Sequence, residues 1–169
     1  MGEAYRLKCS RCDYEIFLPF GVGMFFPHLY SDTIDRIKKG RFGKTAQKFL
    51  QGHPDGAIDC EKTVFICERC GALKQGLNLD MYIPKPGHEQ FQHSAWSIAF
   101  PFHSASYADK TDLEQHCTLY QHYPHRCPKC RKRMQALSPE TFVGLLDKRE
   151  FKCPDCNSAL ELCDLMLWD

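Results

Sequence analysis

Four copies of the pattern C-x-x-C constrain the folding of this chain more than any other feature. They contain eight of its eleven cysteines, as the pairs Cys9/Cys12, Cys67/Cys70, Cys127/Cys130 and Cys153/Cys156. The first residues, MGEAYRLKC, lack the apolar region of a secretory signal, and no run of about 18 apolar residues could span a bilayer. We therefore expect a cytoplasmic protein without a membrane partner, in which paired thiols stay reduced and bind metal.

The spacing between the pairs predicts which of them share a metal ion. Only 22 residues separate Cys130 from Cys153, close to the separation of about 15–20 residues that is typical of four-cysteine zinc sites. A longer stretch of 54 residues separates Cys12 from Cys67, and a helical insertion accounts for the extra length. We expect two Zn²⁺ ions per chain, each held by consecutive pairs: one by Cys9, Cys12, Cys67 and Cys70, the other by Cys127, Cys130, Cys153 and Cys156. The disfavoured alternative joins the two inner pairs and the two outer pairs.

The segments around the pairs indicate the secondary structure. Runs rich in β-branched and aromatic residues flank the C-x-x-C turns and predict strands. Helices are predicted at 31–40, 43–52 and 138–150, the last with Ser138 at its N-cap and Pro139 at its first position. A further short helix is predicted near 111–117.

Both halves of the chain thus follow one order: strand, C-x-x-C, strand, helix, strand, C-x-x-C, strand. This internal repeat predicts a small α+β metal-bound protein with two antiparallel β-knuckle units, each with a helical insert between its cysteine pairs. The expected division is an enlarged unit at 1–84, a connector at 85–122 and a second unit at 123–169. The connector is rich in histidine and aromatic residues and is expected to pack on the two units, since a structureless linker would not carry Phe91, Trp96, Phe100, Phe102 and Tyr107.

The knuckle sequences CSRCDY, CERCGA, CPKCRK and CPDCNS resemble the zinc-ribbon (rubredoxin-like) fold group. The resemblance covers about half of the chain, and it implies a fold and a metal but no single activity. Iron is the rival metal, because rubredoxins use similar knuckles. Zinc is favoured, since Asp13, Arg131 and Asn157 stand where a rubredoxin knuckle usually has glycine.

These features favour a non-catalytic interaction module or accessory subunit with structural metal sites and a protein partner or larger complex. A nucleic-acid-binding regulator is the first alternative. It would use the basic cluster, which is defined as Arg126, Lys129, Arg131, Lys132 and Arg133. The competing interpretation is electrostatic, because a four-thiolate zinc centre carries a charge of −2 that attracts cations. Metal binding would change the formal charge of +1 to about −3, which disfavours a strongly basic binder. An iron or dithiol redox protein is the second alternative.

Three other features are weaker indications. His116, Cys117, His122 and His125 are close in sequence and raise the question of a further metal site. Cys60 and Cys163 lie in apolar runs and are expected to be buried thiols. The segment GVGMFFPHLY (21–30) has no phosphate-loop pattern and is expected to pack in the core of the first unit, with partner docking as its alternative. The sequence does not indicate an oligomeric state.

Overall fold

The computed structural model describes residues 2–23, 25–88 and 107–168. This part of the chain contains nine strands and four helices, which confirms the predicted α+β class. In chain order they are β1 (Gly2–Cys9), β2 (Glu15–Phe20), α1 (Phe26–Lys38), α2 (Lys44–Gly52), β3 (Ala57–Ile58), β4 (Lys62–Cys67), β5 (Leu73–Leu77), β6 (Met81–Pro84), α3 (Lys110–His116), β7 (Cys117–Gln121), β8 (Met134–Leu137), α4 (Pro139–Asp147) and β9 (Leu160–Trp168).

The chain divides into two compact units, and neither is a continuous stretch of sequence. The cysteine unit consists of Met1–Gly23, Lys62–Leu77 and Pro124–Asp169, and the helical unit of Met24–Glu61 and Asn78–Tyr123. This division differs from the expected boundaries at residues 84 and 122. Strand pairing over long sequence separations accounts for the difference, since it draws the first and last parts of the chain into one unit.

Two antiparallel sheets build the cysteine unit. The first has the strand order β2-β1-β9 and the second β5-β4-β8. The chain's first and last strands are therefore neighbours, and their register sets Arg6 opposite Asp164 and Lys8 opposite Glu161. Opposite charges at facing positions favour this pairing over a slipped one. Backbone hydrogen bonds between Gly21 and Lys62 link the ends of β2 and β4.

The core of the cysteine unit forms around α4. Ser138 caps this helix by accepting a hydrogen bond from the Thr141 N–H, and Pro139 occupies its first turn, as the sequence predicts. Phe142 is fully buried, and its ring stacks on Phe151 at 5.0 Å. The inner face of β1 packs against α4, with Tyr5 only 4.8 Å from the ring of Phe142.

The helical unit packs α1, α2 and α3 with a sheet of order β3-β6-β7. Its buried residues include Phe26, Ile37, Phe49 and Met81. Tyr107 is buried as well, and its ring meets that of Phe26 edge to face at 5.9 Å. Buried apolar residues of α1 recur with the period of a helix, which places one face of α1 in the core.

The helices largely follow the sequence prediction, but α1 begins earlier than predicted and α4 ends at Asp147 instead of residue 150. Helix α2 agrees with the predicted 43–52, and α3 begins with a capping box between Asp109 and Asp112. Helix α1 begins at Phe26 instead of residue 31, because Pro27 lies in its first turn, where proline needs no N–H partner. Phe91, Trp96, Phe100 and Phe102 of the connector lie outside the described residues. No helix in the described part of the chain is both long and apolar enough to cross a bilayer.

Candidate metal centres

The first cysteine group joins the two ends of the cysteine unit. It consists of Cys9, Cys12, Cys153 and Cys156, whose sulfur atoms all lie within 4.8 Å of one another. The Sγ atoms of Cys9 and Cys156 are 3.4 Å apart, and those of Cys12 and Cys153 are 3.5 Å apart. A disulfide would require about 2.05 Å, whereas a tetrahedron with Zn–S bonds of about 2.3 Å has edges of about 3.8 Å. The separations thus fit four donors around one ion.

The second group has the same form. It consists of Cys67, Cys70, Cys127 and Cys130, again with all four sulfur atoms within 4.8 Å. The Sγ atoms of Cys67 and Cys130 are 3.4 Å apart, and those of Cys70 and Cys127 are 3.6 Å apart. In both groups the first cysteine of each pair is buried, while its second cysteine is partly or fully exposed. Each site is therefore anchored in the core and reaches the surface on one side.

The observed grouping corrects the expected one. Consecutive pairs do not share a site: the inner pairs join each other, and so do the outer pairs. Strand pairing is the physical reason. Cys9 ends β1, which pairs with β9, and Cys67 ends β4, where it lies opposite Met134 of β8. Each cysteine knuckle is thereby brought beside a knuckle from the far side of the sequence.

The grouping also corrects the expected place of the helices. Helices α1 and α2 lie between the Cys12 and Cys67 knuckles, and α4 lies between the Cys130 and Cys153 knuckles. Each of these stretches connects a knuckle of one site to a knuckle of the other, whereas α3 lies between Cys70 and Cys127, which share a site. The two groups of four cysteines resemble zinc-ribbon metal sites.

The four knuckles share one backbone turn. In each, the N–H of the first cysteine donates to the carbonyl five residues later: Cys9 to Tyr14, Cys67 to Ala72, Cys127 to Lys132 and Cys153 to Ser158. In three of them the residue after the second cysteine is left-handed, with φ of 66° at Gly71, 62° at Arg131 and 60° at Asn157. The turn thus forms without glycine at Arg131 and Asn157.

Hydrogen bonds from these turns stabilise thiolates. The Arg11 N–H donates to Cys9 Sγ at 3.3 Å, and the Asp155 N–H to Cys153 Sγ at 3.4 Å. Backbone N–H groups, first that of Cys70 and then that of Arg69, lower the pKa of Cys67 to about 6. Ser158 lowers the pKa of Cys156 to about 6 through its hydroxyl and its N–H. Each site therefore contains at least one cysteine that is ionised at neutral pH.

Other thiols in the same sites hold their protons. Although the Ala72 N–H lowers it, the pKa of Cys70 is raised to about 11 by the hydrogen bond with the Cys67 sulfur, by desolvation and by the contact with Cys127. The Tyr14 N–H likewise lowers the pKa of Cys12, but the sulfur atoms of Cys9, Cys153 and Cys156, with some burial, raise it to about 12. Four crowded sulfur atoms cannot all be anionic without a cation among them. The donor set thus fits a divalent metal that accepts soft thiolates.

A cleft of about 590 Å³ lies beside both cysteine groups within the cysteine unit. Cys70 of one group and Cys153 and Cys156 of the other line it, together with Lys129 and Lys152. Glu150 and Asp155 line the same cleft, so its two lysines are matched by two carboxylates. Of the basic cluster, Lys129 lines the cleft, and its position beside the cysteines is compatible with the electrostatic interpretation.

All five side chains of the basic cluster are exposed on the Cys127–Cys130 knuckle and the residues beside it. The Arg126 guanidinium donates to the Arg131 carbonyl at 3.4 Å, and an isolated bridge joins Arg126 to Arg133. None of the five forms an ion pair with another described residue. Their charges are available to a partner, but their role in nucleic-acid binding stays a prediction.

The cysteine and histidine residues outside the two groups differ in burial and in their neighbours. Cys60 is fully buried as expected, whereas Cys163 is exposed on β9, so the prediction for Cys163 was wrong. His122 bonds to Asp80 at 2.7 Å, and the ring of His125 lies 3.8 Å from that of Phe65. His116 instead has His88 as its neighbour, with their Nδ1 atoms 3.0 Å apart. Among the described residues, His116, Cys117, His122 and His125 do not form a metal-binding group.

The segment 21–30 lies partly in each unit. Phe26 and Tyr30 are buried in the helical unit, and Phe25 is 64% exposed. The predicted packing in a core therefore holds for Phe26 and Tyr30, but that core is not the one beside the cysteines.

Tyr14 and Ser158, whose backbones complete two knuckles, were not among the predicted site residues. The fixed five-residue offset from the first cysteine was the signal that could have found them. Comparison with protein-family models, with curated proteins and with solved structures gave no match. The interpretation of the two sites therefore rests on their geometry.

Proposed function

We propose that this chain is a zinc-binding, non-catalytic interaction module with two structural metal sites. One observation carries the proposal: eight cysteines form two groups of four with tetrahedral spacing. Cysteine-only sites with no open position are typical of structural zinc, whereas catalytic zinc keeps a place for water or substrate. All four donors in each group are cysteine, so an ion there would have its coordination filled by protein.

The position of the sites explains what the metals would do. One ion would join the knuckle after β1 to the knuckle before β9, and the other would join the knuckles next to β4 and β8. Binding to preformed sites adds its free energy to folding. The ions would thus fix the strand order of both sheets, and the surface they support would serve a protein partner or a larger complex.

Zinc is favoured over iron by the surroundings of the sulfur atoms. The second cysteine of each pair is partly or fully exposed, and exposed sulfur atoms leave a redox centre open to solvent. Arg131 and Asn157 also replace the glycines that let backbone groups approach the iron-bound sulfurs of rubredoxins. A structural zinc site needs only the four thiolates and a rigid turn.

Native mass spectrometry of protein produced with both metals in the medium tests the proposal. We expect two zinc ions per chain and a colourless protein. The matched control is Cys163→Ser, which removes an exposed cysteine outside both groups and is expected to keep both ions. Stoichiometric iron with visible absorption, or a metal-free protein with reversible dithiol chemistry, would contradict the proposal and favour a redox protein.

Nucleic-acid binding is the second candidate, and it is favoured by the exposed basic cluster, which forms no ion pair with the described residues. Arg131, Lys132 and Arg133 are consecutive and exposed next to the Cys127–Cys130 knuckle. Such a group can neutralise backbone phosphates, and each lost contact lowers the salt dependence of binding by about one unit of slope.

A charge-matched pair of variants tests this candidate. The triple change Arg131→Gln, Lys132→Gln and Arg133→Gln is compared with Lys38→Gln, Lys39→Gln and Arg41→Gln, which removes three exposed charges from the helical unit. If the cluster binds phosphate, the first variant loses affinity for DNA or RNA and shows a flatter salt slope, while the second retains both. An absence of binding by the unmodified protein at low salt excludes the candidate.

A further inference from the structure

Strand β9 is the longest strand in the described part of the chain, with nine residues, and it lies at a sheet edge. Among the strands of the described residues it pairs only with β1. At its first residue the Leu160 N–H donates to the Phe151 carbonyl, so the open side of its backbone begins at Glu161. Open edges attract further strands, and proteins usually protect them by shortness, charge or proline. The other edge strands follow this rule: β2 contains Pro19, and β3, β5, β7 and β8 have five residues or fewer.

Three leucines of β9 are exposed in one row. Leu162, Leu165 and Leu167 have 47%, 55% and 73% of their surface in contact with solvent. The ladder between β1 and β9 shifts register at Arg6/Leu7, so that Leu162 lies opposite Leu7 and Leu165 opposite Tyr5. Because Leu7 and Tyr5 both belong to the core, the shift keeps these leucines on the core side of the sheet. The exposed leucines therefore continue the apolar surface of the core past the edge of the sheet.

The sequence of β9 is complementary to itself in one antiparallel register. If Leu162 lies opposite Leu165 of a second copy, Glu161 lies opposite Met166 and Cys163 lies opposite Asp164. The paired stretch then runs from Glu161 to Met166 in each copy and leaves the Leu160 N–H with Phe151. Leu162 and Leu165 each meet a leucine of the other copy, and the two acidic residues do not face each other. A register that sets Glu161 opposite Asp164 would oppose like charges, which destabilises a strand pair.

We propose that a second copy of this chain docks on the open edge of β9, so that two three-stranded sheets form one six-stranded sheet. A two-fold axis near Cys163 and Asp164 relates the copies, and both leucine rows lie on the same side of the joined sheet. Such an arrangement is closed, because each copy has a single β9 edge and both edges are used. It covers the open backbone from Glu161 to Met166 together with Leu162 and Leu165.

Sedimentation velocity over a concentration series tests the dimer. We expect the unmodified protein to sediment as a dimer, and Leu165→Arg to shift it to a monomer. The matched control is Leu119→Arg, which changes a leucine of β7 in the helical unit that is 40% exposed, and it is expected to remain dimeric. Far-ultraviolet circular dichroism and metal content establish that both variants are folded. A monomeric wild type at every concentration, or equal effects of the two variants, overturns the proposal.

A pair of double variants tests the register. The variant Leu162→Lys with Leu165→Glu sets opposite charges across the proposed interface, whereas Leu162→Lys with Leu165→Lys sets like charges there. We expect the first to dimerise at least ten times more tightly than the second. Equal dissociation constants would overturn this register. Amides of β9 are also expected to exchange more slowly with deuterium as the protein concentration rises, and exchange independent of concentration would contradict docking at this edge.

Discussion

Cys9 and Cys156 lie 147 positions apart in the sequence, yet their sulfur atoms are 3.4 Å apart. The pairing of β1 with β9 brings them together, since Cys9 lies opposite Leu160 at the end of that ladder. A metal ion held by these cysteines would therefore fix the longest-range strand contact in the cysteine unit.

Double serine variants distinguish the observed grouping from consecutive pairs. Changing Cys12→Ser and Cys156→Ser damages one observed site only, so we expect one zinc ion per chain. Consecutive pairing would damage both sites and leave none. The control, Cys12→Ser with Cys127→Ser, damages both sites under either grouping, and native mass spectrometry counts the ions.

The core of the cysteine unit depends on Phe142. Replacing this fully buried ring by alanine leaves a cavity next to Tyr5 and Phe151, and we expect a loss of about 3–5 kcal/mol in the free energy of unfolding. The neighbouring Val143 is 36% exposed, and Val143→Ala should cost less than about 1 kcal/mol. Urea unfolding with metal present measures the free energy of unfolding of both variants. Equal losses from Phe142→Ala and Val143→Ala would show that Phe142 is not central to the core.

Arg131 has a left-handed backbone with φ of 62°, which costs an ordinary residue about 1–2 kcal/mol. The variant Arg131→Gly should relieve this strain, and we expect slower release of metal from the Cys127 site to a chelator. The control Lys132→Gly changes the next residue, which is not left-handed, and should speed release or leave it unchanged. Faster release from Arg131→Gly would show that the side chain of Arg131, not its backbone, supports the knuckle.

The stability of the helical unit is expected to depend on pH through Asp59. Burial raises the pKa of its carboxyl group to about 7, although the Glu61 N–H that it accepts opposes the shift. As the pH rises, Asp59 in the unfolded chain loses its proton at about pH 3.9, whereas in the folded state it keeps the proton up to about pH 7. Stability contributed by this proton is fully present below about pH 4 and is lost as the pH rises to about 7.

Asp59→Asn keeps an oxygen for the Glu61 N–H but cannot ionise. We expect hydrogen exchange of the β3 and β6 amides to become faster between about pH 5 and pH 8 in the unmodified protein, after correction for intrinsic rates, and to change less in the variant. Asp55→Asn, at an exposed position, serves as the control and should retain the dependence. If Asp59→Asn retains it fully, another group is responsible, and Glu61, whose pKa burial also raises, is the next candidate.

The sequence was most informative where structure is local. The cap of α4 at Ser138, helix α2 and the turns of the knuckles depend on residues within a few positions of one another, and these predictions agree with the structure. The same reasoning failed for the grouping of the cysteine pairs. The spacing between two cysteine pairs reflects only the entropy of closing the loop between them. The pairing of strands in the sheets determined which cysteine pairs share a site.

One long-range signal was present in the sequence. Lys8 lies opposite Glu161 and Arg6 opposite Asp164, so the first and last strands have complementary charges as well as similar apolar patterns. That signal is weak, because many strand pairs of a short chain would satisfy it by chance. The exposure of Cys163 was also unpredictable, since it depends on the register shift in β9.

The discontinuous course of the cysteine unit sets an order of events during synthesis. Translation proceeds from the N-terminus, so Cys9 and Cys12 leave the ribosome long before Cys153 and Cys156, with the whole helical unit produced in between. The group that contains Cys67 is complete once Cys130 has emerged, and its metal can bind first. Until Cys153 and Cys156 have also emerged, Cys9 and Cys12 are thiols without their ligand partners in the nascent chain, so their group is the second of the two to be completed.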